Sequence, residues 1–299
     1  MHEHIIVLNL EAFENYPNRY AAEEQFVDDA VRKLDAVKAS GIDTLVDVTV
    51  IPMGRNVRRI KRIAERTTLN IIVATGIYTF DDVPAPFAVL GPSEVDPLID
   101  LFVRDITIGT ADTGVRSGVL KCATDRKGVT PGVHRVLRAV ARAHRLTGVP
   151  ILTHTDPKHR TGLDQQRIFL EEGIDLSRVV IGHCGDTCDI AYLETLAEAG
   201  SYLGMDRCGI ETLPFDDRID TIVRMCERGY AEQMVLSHDY ASFNDQLPES
   251  FFAESPDWDY LHVSRSVLPA LRARGVTEEQ LRSMLVENPR RIFQMQDLY

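Results

Sequence analysis

Gly118-Val119-Leu120-Lys121, then Thr130-Pro131 through Gly148, then Pro150-Ile151-Leu152-Thr153-His154 read as one strand–helix–strand unit, and that unit decides the fold. Both strand segments are apolar almost without a break. A strand wet on one face alternates apolar with polar residues, so continuous runs point to burial on both faces, as in a parallel sheet. Between them Val133, Val136, Leu137, Val140 and His144 recur at helical spacing. Thr130 is placed to cap that helix, Pro131 to occupy its first turn, and Gly148 to end it.

The same unit repeats in both directions. Strand-like runs are Thr44-Leu45-Val46-Asp47-Val48-Thr49-Val50, Asn70-Ile71-Ile72-Val73-Ala74-Thr75-Gly76, Val179-Val180-Ile181-Gly182-His183, Tyr202-Leu203-Gly204-Met205-Asp206 and Met234-Val235-Leu236-Ser237-His238-Asp239. Amphipathic helices fall between them, marked by Val27, Ala30, Val31, Leu34 and Val37 before Gly41, by Leu193, Leu196 and Ala197, and by Ile219, Ile222, Val223 and Cys226 before Gly229. Thr277-Glu278-Glu279-Gln280 is a capping box that opens a last helix carrying Leu281, Met284 and Leu285. With the opening run Ile5-Ile6-Val7-Leu8 counted as the first strand, eight strands alternate with helices at roughly the 30-residue period of a βαβ unit. The expected fold is an α/β, (β/α)8 TIM barrel, one domain spanning residues 1–299. A doubly wound sheet is the alternative, but no Gly-x-Gly-x-x-Gly turn follows any strand.

Composition excludes several classes. The chain has 299 residues, 44% of them hydrophobic, enough for a large core. Its formal charge of −12 argues against nucleic acid or an anionic membrane as partner. No apolar run approaches the roughly 20 residues of a membrane span, and no signal-peptide pattern opens the chain. Five cysteines (Cys122, Cys184, Cys188, Cys208, Cys226), odd in number and without a C-x-x-C pair, fit reduced thiols and a cytoplasmic location.

The strands share a second regularity. A metal-capable or ionisable residue stands at the end of nearly every one: His2 and His4 on the first, Lys121 on the fourth, His154 on the fifth, His183 on the sixth, Arg207 on the seventh and Asp239 on the eighth. In Met1-His2-Glu3-His4 the alternation of an extended chain puts both imidazoles on one side. In a barrel these ends converge on one mouth. Four histidines and an aspartate exceed one tetrahedral site, so two divalent metal ions are expected, bridged by an anion. No carboxylate ends the fourth strand. A buried neutral lysine amine can add CO2, so an N6-carboxylated Lys121 is the candidate bridge. Zinc, cobalt, manganese and iron all suit these ligands, zinc foremost.

The motifs His2-Glu3-His4, Val119-Leu120-Lys121-Cys122-Ala123, Thr153-His154, Ile181-Gly182-His183-Cys184-Gly185-Asp186 and Ser237-His238-Asp239 resemble the phosphotriesterase family of the amidohydrolase superfamily, over essentially the whole chain. Gly76-Ile77-Tyr78, Gly204-Met205-Asp206-Arg207 and Glu287-Asn288-Pro289-Arg290-Arg291 are similar to its lactonase branch. The resemblance implies that His2, His4 and Asp239 hold a buried metal and His154 and His183 an exposed one. Carboxylated Lys121 and a hydroxide would bridge them. It also implies that the hydroxide attacks a lactone carbonyl, that Asp239 takes up and returns the proton, and that Tyr78 polarises the carbonyl oxygen. Arg207 would orient Asp186 or the metal-bound water, a structural salt bridge with Asp206 or a neighbour being the alternative. Dedicated phosphotriesterases carry histidine at the position of Arg207. The implied substrates are small molecules: acyl homoserine lactones (hence quorum quenching) or γ/δ-lactones, with phosphotriester hydrolysis as a side activity. Phosphotriesterase as the main activity and hydrolysis of cyclic amides are the alternatives.

The segment 240–259 carries Phe243, Leu247, Phe251, Phe252 and Trp258, with Phe243 and Trp258 taken as substrate contacts over the mouth. Lactonases often have a cysteine pair two positions after the last ligand, where Ala241-Ser242 stand here. The stretch 91–108, with Phe87 and Leu90 before it, is the expected surface of a homodimer implied by the resemblance. His238 is expected to face away from the metals, Cys122 and Cys184 to pack, and His134, His144, His159 and His262 to have no role in the site. Relatives carry a leader before His2-Glu3-His4, so the first strand is expected to be truncated.

Overall fold

Seven parallel strands pair in sequence order around a curved sheet in the computed structural model, which describes residues 1–91 and 96–294. After β1 (Ile6–Val7) they are β2 (Thr44–Asp47), β3 (Asn70–Gly76), β4 (Val119–Ala123), β5 (Ile151–His154), β6 (Val179–Ile181), β7 (Tyr202–Met205) and β8 (Met234–Leu236). Side-chain alternation sorts their apolar residues into two layers. Val46, Val48, Ala74, Val119, Leu152, Val180 and Val235 fill the space enclosed by the sheet. Leu120, Ile151, Ile181 and Leu203 face outward onto the helices. The enclosed space is therefore packed, and polar chemistry is left to the rim where the strands end.

The eighth position of the ring is held by residues 1–4. Glu3 N–H donates to the Val46 carbonyl and Val48 N–H to that of Glu3, while Asp239 N–H donates to His2 and His4 N–H to Tyr240. One side of this segment thus pairs with β2 and the other with the chain leaving β8, which completes a (β/α)8 barrel. The expectation that Ile5-Ile6-Val7-Leu8 forms the first barrel strand is corrected. β1 lies beyond the ring and pairs with β9 (Phe243–Asn244) as a separate two-stranded sheet. The run is apolar because all four residues are buried, Ile5, Ile6 and Leu8 in the cluster that includes Phe26, Val27 and Leu34.

Helix boundaries follow the local signals. Thr130 Oγ1 accepts the Val133 N–H, and Gly148 ends Pro131–Thr147 in the left-handed region at φ 71°. Both halves of the Thr277–Gln280 capping box form. Gly76 has a positional reason: a Cβ there would collide with the Lys121 carbonyl where β3 pairs with β4, so only glycine lets these strands meet beside Lys121.

Cys122, Cys184, Cys208 and Cys226 are buried free thiols and Cys188 is an exposed one. No helix among the described residues is long and apolar enough to cross a membrane. Of the stretch expected at a dimer surface, residues 92–95 lie outside the described residues; Val89, Leu90 and Ile108 are exposed.

Candidate active site

Three of the expected site residues share an unusual backbone. β6, β7 and β8 end at Ile181, Met205 and Leu236, so His183, Arg207 and Asp239 stand just past the sheet rather than on its last pleat. All three are in the left-handed region, at φ 64°, 59° and 54°. Such a conformation costs a non-glycine residue on the order of 1 kcal/mol and turns the side chain back over the mouth. Glu3 helps fix Asp239 there. Its buried carboxylate accepts the His238 N–H at 2.9 Å and the Tyr240 N–H at 3.1 Å, one on each side of Asp239. The same carboxylate takes the His238 Nδ1 proton at 2.7 Å, and His238 Nε2 accepts the Val263 N–H, so His238 is a structural residue turned away from the mouth.

Inside the ring, His2, His4, Lys121, His154, His183 and Asp239 converge. Lys121 Nζ lies 2.7 Å from His2 Nε2, and His183 Nε2 lies 2.7 Å from His154 Nδ1. Asp239 Oδ1 is 3.2 Å from His4 Nε2 and 3.4 Å from His2 Nε2, and Oδ2 is 3.9 Å from His183 Nε2. His2, His183 and Asp239 each present an atom within 4.8 Å of the other two. Tetrahedral donors about 2.0–2.1 Å from a zinc-sized ion stand roughly 3.3 Å from one another, so the 3.2 and 3.4 Å from Asp239 Oδ1 to His4 and His2 match the edges of such a polyhedron, while the two 2.7 Å contacts are shorter than one.

What lies behind the imidazoles decides which nitrogen faces the centre. Asp206, fully buried, accepts His2 Nδ1–H at 3.0 Å and His183 Nδ1–H at 2.8 Å, and both its oxygens also take the His183 backbone N–H at 3.0 Å. Asp125 accepts His154 Nε2–H at 3.2 Å. His4 Nδ1 meets Thr49 Oγ1 at 2.9 Å, and Thr49 in turn donates to Asp47 at 2.6 Å. Because carboxylates only accept, the protons of His2, His154 and His183 are committed outward. Two bare lone pairs then face each other across 2.7 Å between His154 and His183. That arrangement is repulsive without a cation between them, and this donor set fits metal ions well.

Burial and neighbouring charges hold the groups in metal-ready protonation states. Burial pushes the His154 imidazolium down to about 4 and that of His183 well below the ordinary value, the latter with help from Arg207. It also lowers the Lys121 ammonium to about 8. For Asp239 and Asp206 burial works the other way, but the adjacent histidines outweigh it and keep both carboxyls well below the usual range. The His154 hydrogen bond holds Asp125 down to about 2.

Arg207 does not pair with Asp206. Its Nε donates to Asp239 Oδ2 and its Nη1 to Asp186 Oδ2, both at 3.0 Å, while Asp186 Oδ1 accepts Arg218 and Thr212. The Tyr78 hydroxyl sits 3.3 Å from His154 Nδ1, and burial raises its pKa, so it stays protonated. Above the centre opens a cleft of about 400 Å3 with His2, His4, His154 and Asp239 at its floor. Its walls include Met53, Phe80, Ile210, Leu247, Phe251 and Trp258. Trp258 is fixed by Nε1–H donation to the His238 carbonyl at 2.7 Å. The expectation for Phe243 is corrected: its ring packs 4.5 Å from that of Phe26, within the cluster beneath β1, and it does not line the cleft. β9 turns that side chain inward and leaves Asn244 to face the mouth.

Sequence reading missed Asp206, Asp125, Thr49, Asp47 and Phe80. A usable signal existed for Asp206 and Phe80, which lie next to Arg207 and two residues from Tyr78, but none for acids that meet a histidine only through the fold.

Comparison with known proteins agrees with this geometry. The profile of the phosphotriesterase family matches residues 1–293. The solved phosphotriesterase from Mycobacterium tuberculosis is 56% identical, with a TM-score of 0.97 over 100% of this chain and 94% of that chain. An aryldialkylphosphatase of Saccharolobus solfataricus is 37% identical over 98% of this chain and 93% of its own length. A structure solved in the molecular engineering of organophosphate hydrolysis activity from a weak promiscuous lactonase template is 33% identical, with a TM-score of 0.89 over 98% of this chain and 94% of that one. The chain therefore belongs to the phosphotriesterase family of metal-dependent ester hydrolases.

Proposed function

We propose that this chain opens lactone rings, with phosphotriester hydrolysis as a slower activity of the same centre. The observation that carries the reading is that the Tyr78 hydroxyl, kept protonated by burial, and Arg207 both line one largely apolar cleft above the centre. A planar ester needs one hydrogen-bond donor at its carbonyl oxygen and an apolar wall for its chain, and Tyr78 with Phe80, Leu247, Phe251 and Trp258 offers that combination. His2, His4 and Asp239 would hold one ion, His154 and His183 the other, and Lys121, carboxylated, would join them. When bound, such ions supply Lewis-acid polarisation of the carbonyl and acidify water near neutral pH.

The remaining work belongs to the chain itself. Asp239 stays ionised and faces the cleft, so it can accept a proton from the attacking water as the new C–O bond forms. It returns that proton to the ring oxygen as the old C–O bond breaks, giving a hydroxy acid. Arg207, bonded to Asp239 Oδ2, aims that carboxylate and keeps it charged between turnovers. Asp186, pinned by Arg218 and Thr212, holds Arg207 in place.

The test is a kinetic panel of acyl homoserine lactones, γ- and δ-lactones, a cyclic amide and a phosphotriester on the metal-loaded protein, repeated with Tyr78→Phe. The proposal expects the highest kcat/KM on a lactone and a loss on lactones in Tyr78→Phe larger than on the phosphotriester. A phosphotriester turned over faster than every lactone overturns it.

A further inference from the structure

On the side away from the centre, three of the four histidines meet a carboxylate directly, and His4 alone has a hydroxyl interposed. Thr49 Oγ1 sits 2.9 Å from His4 Nδ1 and 2.6 Å from Asp47 Oδ1, and that same oxygen accepts the Thr49 N–H at 3.1 Å. Asp47 is buried at 3% exposure. Among the described residues it forms no ion pair with lysine, arginine or histidine, and its donors are Thr49 and the Ile5 backbone. A buried carboxylate without a cation is costly to keep unless a positive charge stands close by.

We propose that Thr49 and Asp47 are positioning residues that set the tautomer of His4. A hydroxyl has one proton. Given to Asp47, that proton leaves Thr49 Oγ1 free to accept, so His4 must donate from Nδ1 and present a bare Nε2 to the centre beside Asp239. If instead the hydroxyl donated to His4, Nε2 would carry hydrogen and could not bind an ion. The short Thr49–Asp47 contact favours the first arrangement, because a carboxylate is the stronger acceptor. On this account the charge that Asp47 answers is the ion on the far side of His4. The inference rests on His4 being a ligand, as proposed above.

The experiment uses the full chain as Thr49→Val, Thr49→Ser, Asp47→Asn and His4→Ala. Affinity for each of two zinc ions is measured by competition with a chromogenic chelator, melting temperatures report the fold, and the nitrogen-15 shifts of His4 report its tautomer in the metal-free protein. Thr49→Val keeps the shape of the side chain and should weaken one ion by about 10–100-fold, while Thr49→Ser restores it. Asp47→Asn should shift His4 away from the Nδ1–H form, which stands as an independent reading if Thr49→Val does not fold. Unchanged affinity in Thr49→Val, or an unchanged tautomer in Asp47→Asn, overturns the relay while His4→Ala still loses an ion. If His4→Ala keeps both ions, the assignment of His4 as a ligand has failed instead.

Discussion

Replacing Asp206 by asparagine should separate the two ion sites. Asp206 serves His2 and His183 at once, through hydrogen bonds of 3.0 and 2.8 Å, and also holds the His183 backbone N–H. An amide has one accepting oxygen and one donating nitrogen. The oxygen should stay with His183, where two N–H groups converge on it, and the NH2 should face His2 Nδ1. His2 would then accept at Nδ1 and carry its proton at Nε2, the nitrogen proposed to bind the ion. Loss of such a partner typically costs 10–100-fold in metal affinity. The upper figure for the His2 ion and the lower for the His183 ion amount together to about 4 kcal/mol at about 1.4 kcal/mol per factor of ten. Chelator competition with zinc on Asp206→Asn measures both constants, and circular dichroism checks that the fold survives. Two affinities within threefold of the parent, or equal losses at both ions, would refute the reasoning.

Other outcomes follow from the same site. Lys121→Ala should lose bound metal and activity together, and metal uptake by the parent should be faster with bicarbonate than in CO2-free buffer, because an ammonium lowered to about 8 by burial leaves some neutral amine near pH 7 to add CO2; full loading and unimpaired turnover in the variant would remove the bridge. The metal-free protein should lose stability as pH falls from about 6.5 towards 4, since the unfolded chain then binds protons that buried His154 and His183 refuse, with a slope of up to about 1.4 kcal/mol per pH unit for each group. Urea midpoints in the presence of a chelator that stay flat across that window would contradict it. Phe243→Ala should lower stability by about 2 kcal/mol, less than a fully buried phenylalanine, and leave KM alone. Trp258→Ala should raise KM for long-chain lactones more than for short ones, and the reverse pattern in this pair would restore Phe243 to the mouth.

Much of this architecture was legible before any coordinates. Parallel strands advertise themselves by unbroken apolar runs, and Thr130, Pro131, Gly148 and Thr277 mark helix ends through backbone chemistry that acts within a few residues. The convergence of His2, His4, Lys121, His154, His183 and Asp239 was legible because a barrel gathers strand ends at one rim, which turns six scattered residues into one pattern. Apolar character alone could not tell where a strand stops. Val48 and Val50 continue the run past Asp47 because they fill the enclosed core, as Val7 does, and Ile5, Ile6 and Leu8 are apolar because they pack beneath the Glu23–Ala39 helix. Phe243 was misplaced for the same reason, since an aromatic ring on a rim segment can face the cleft or the scaffold and only the pairing of β9 with β1 decides. The acids behind the histidines lie far from them in sequence, Asp206 by 204 positions from His2 and Asp125 by 29 from His154, so spacing could not pair them; only the place of Asp206 beside Arg207 pointed to it.

The left-handed backbone at His183, Arg207 and Asp239 also bears on how such a protein can change. Each of these residues opens the loop that follows its strand, so three of the loops around the mouth depart from positions where β-branched side chains are disfavoured and few residues other than glycine, asparagine, aspartate and histidine sit easily. Variation in substrate preference should then fall mostly downstream of these points, in segments such as 208–214 and 240–259, while exchanges at the points of departure are restricted to residues that tolerate the left-handed backbone. Loop exchange between relatives should accordingly succeed when the grafts begin one residue after each of the three and fail when they begin before, which makes the backbone angle, rather than the chemistry of the side chain alone, the boundary between what is free to diverge and what is not.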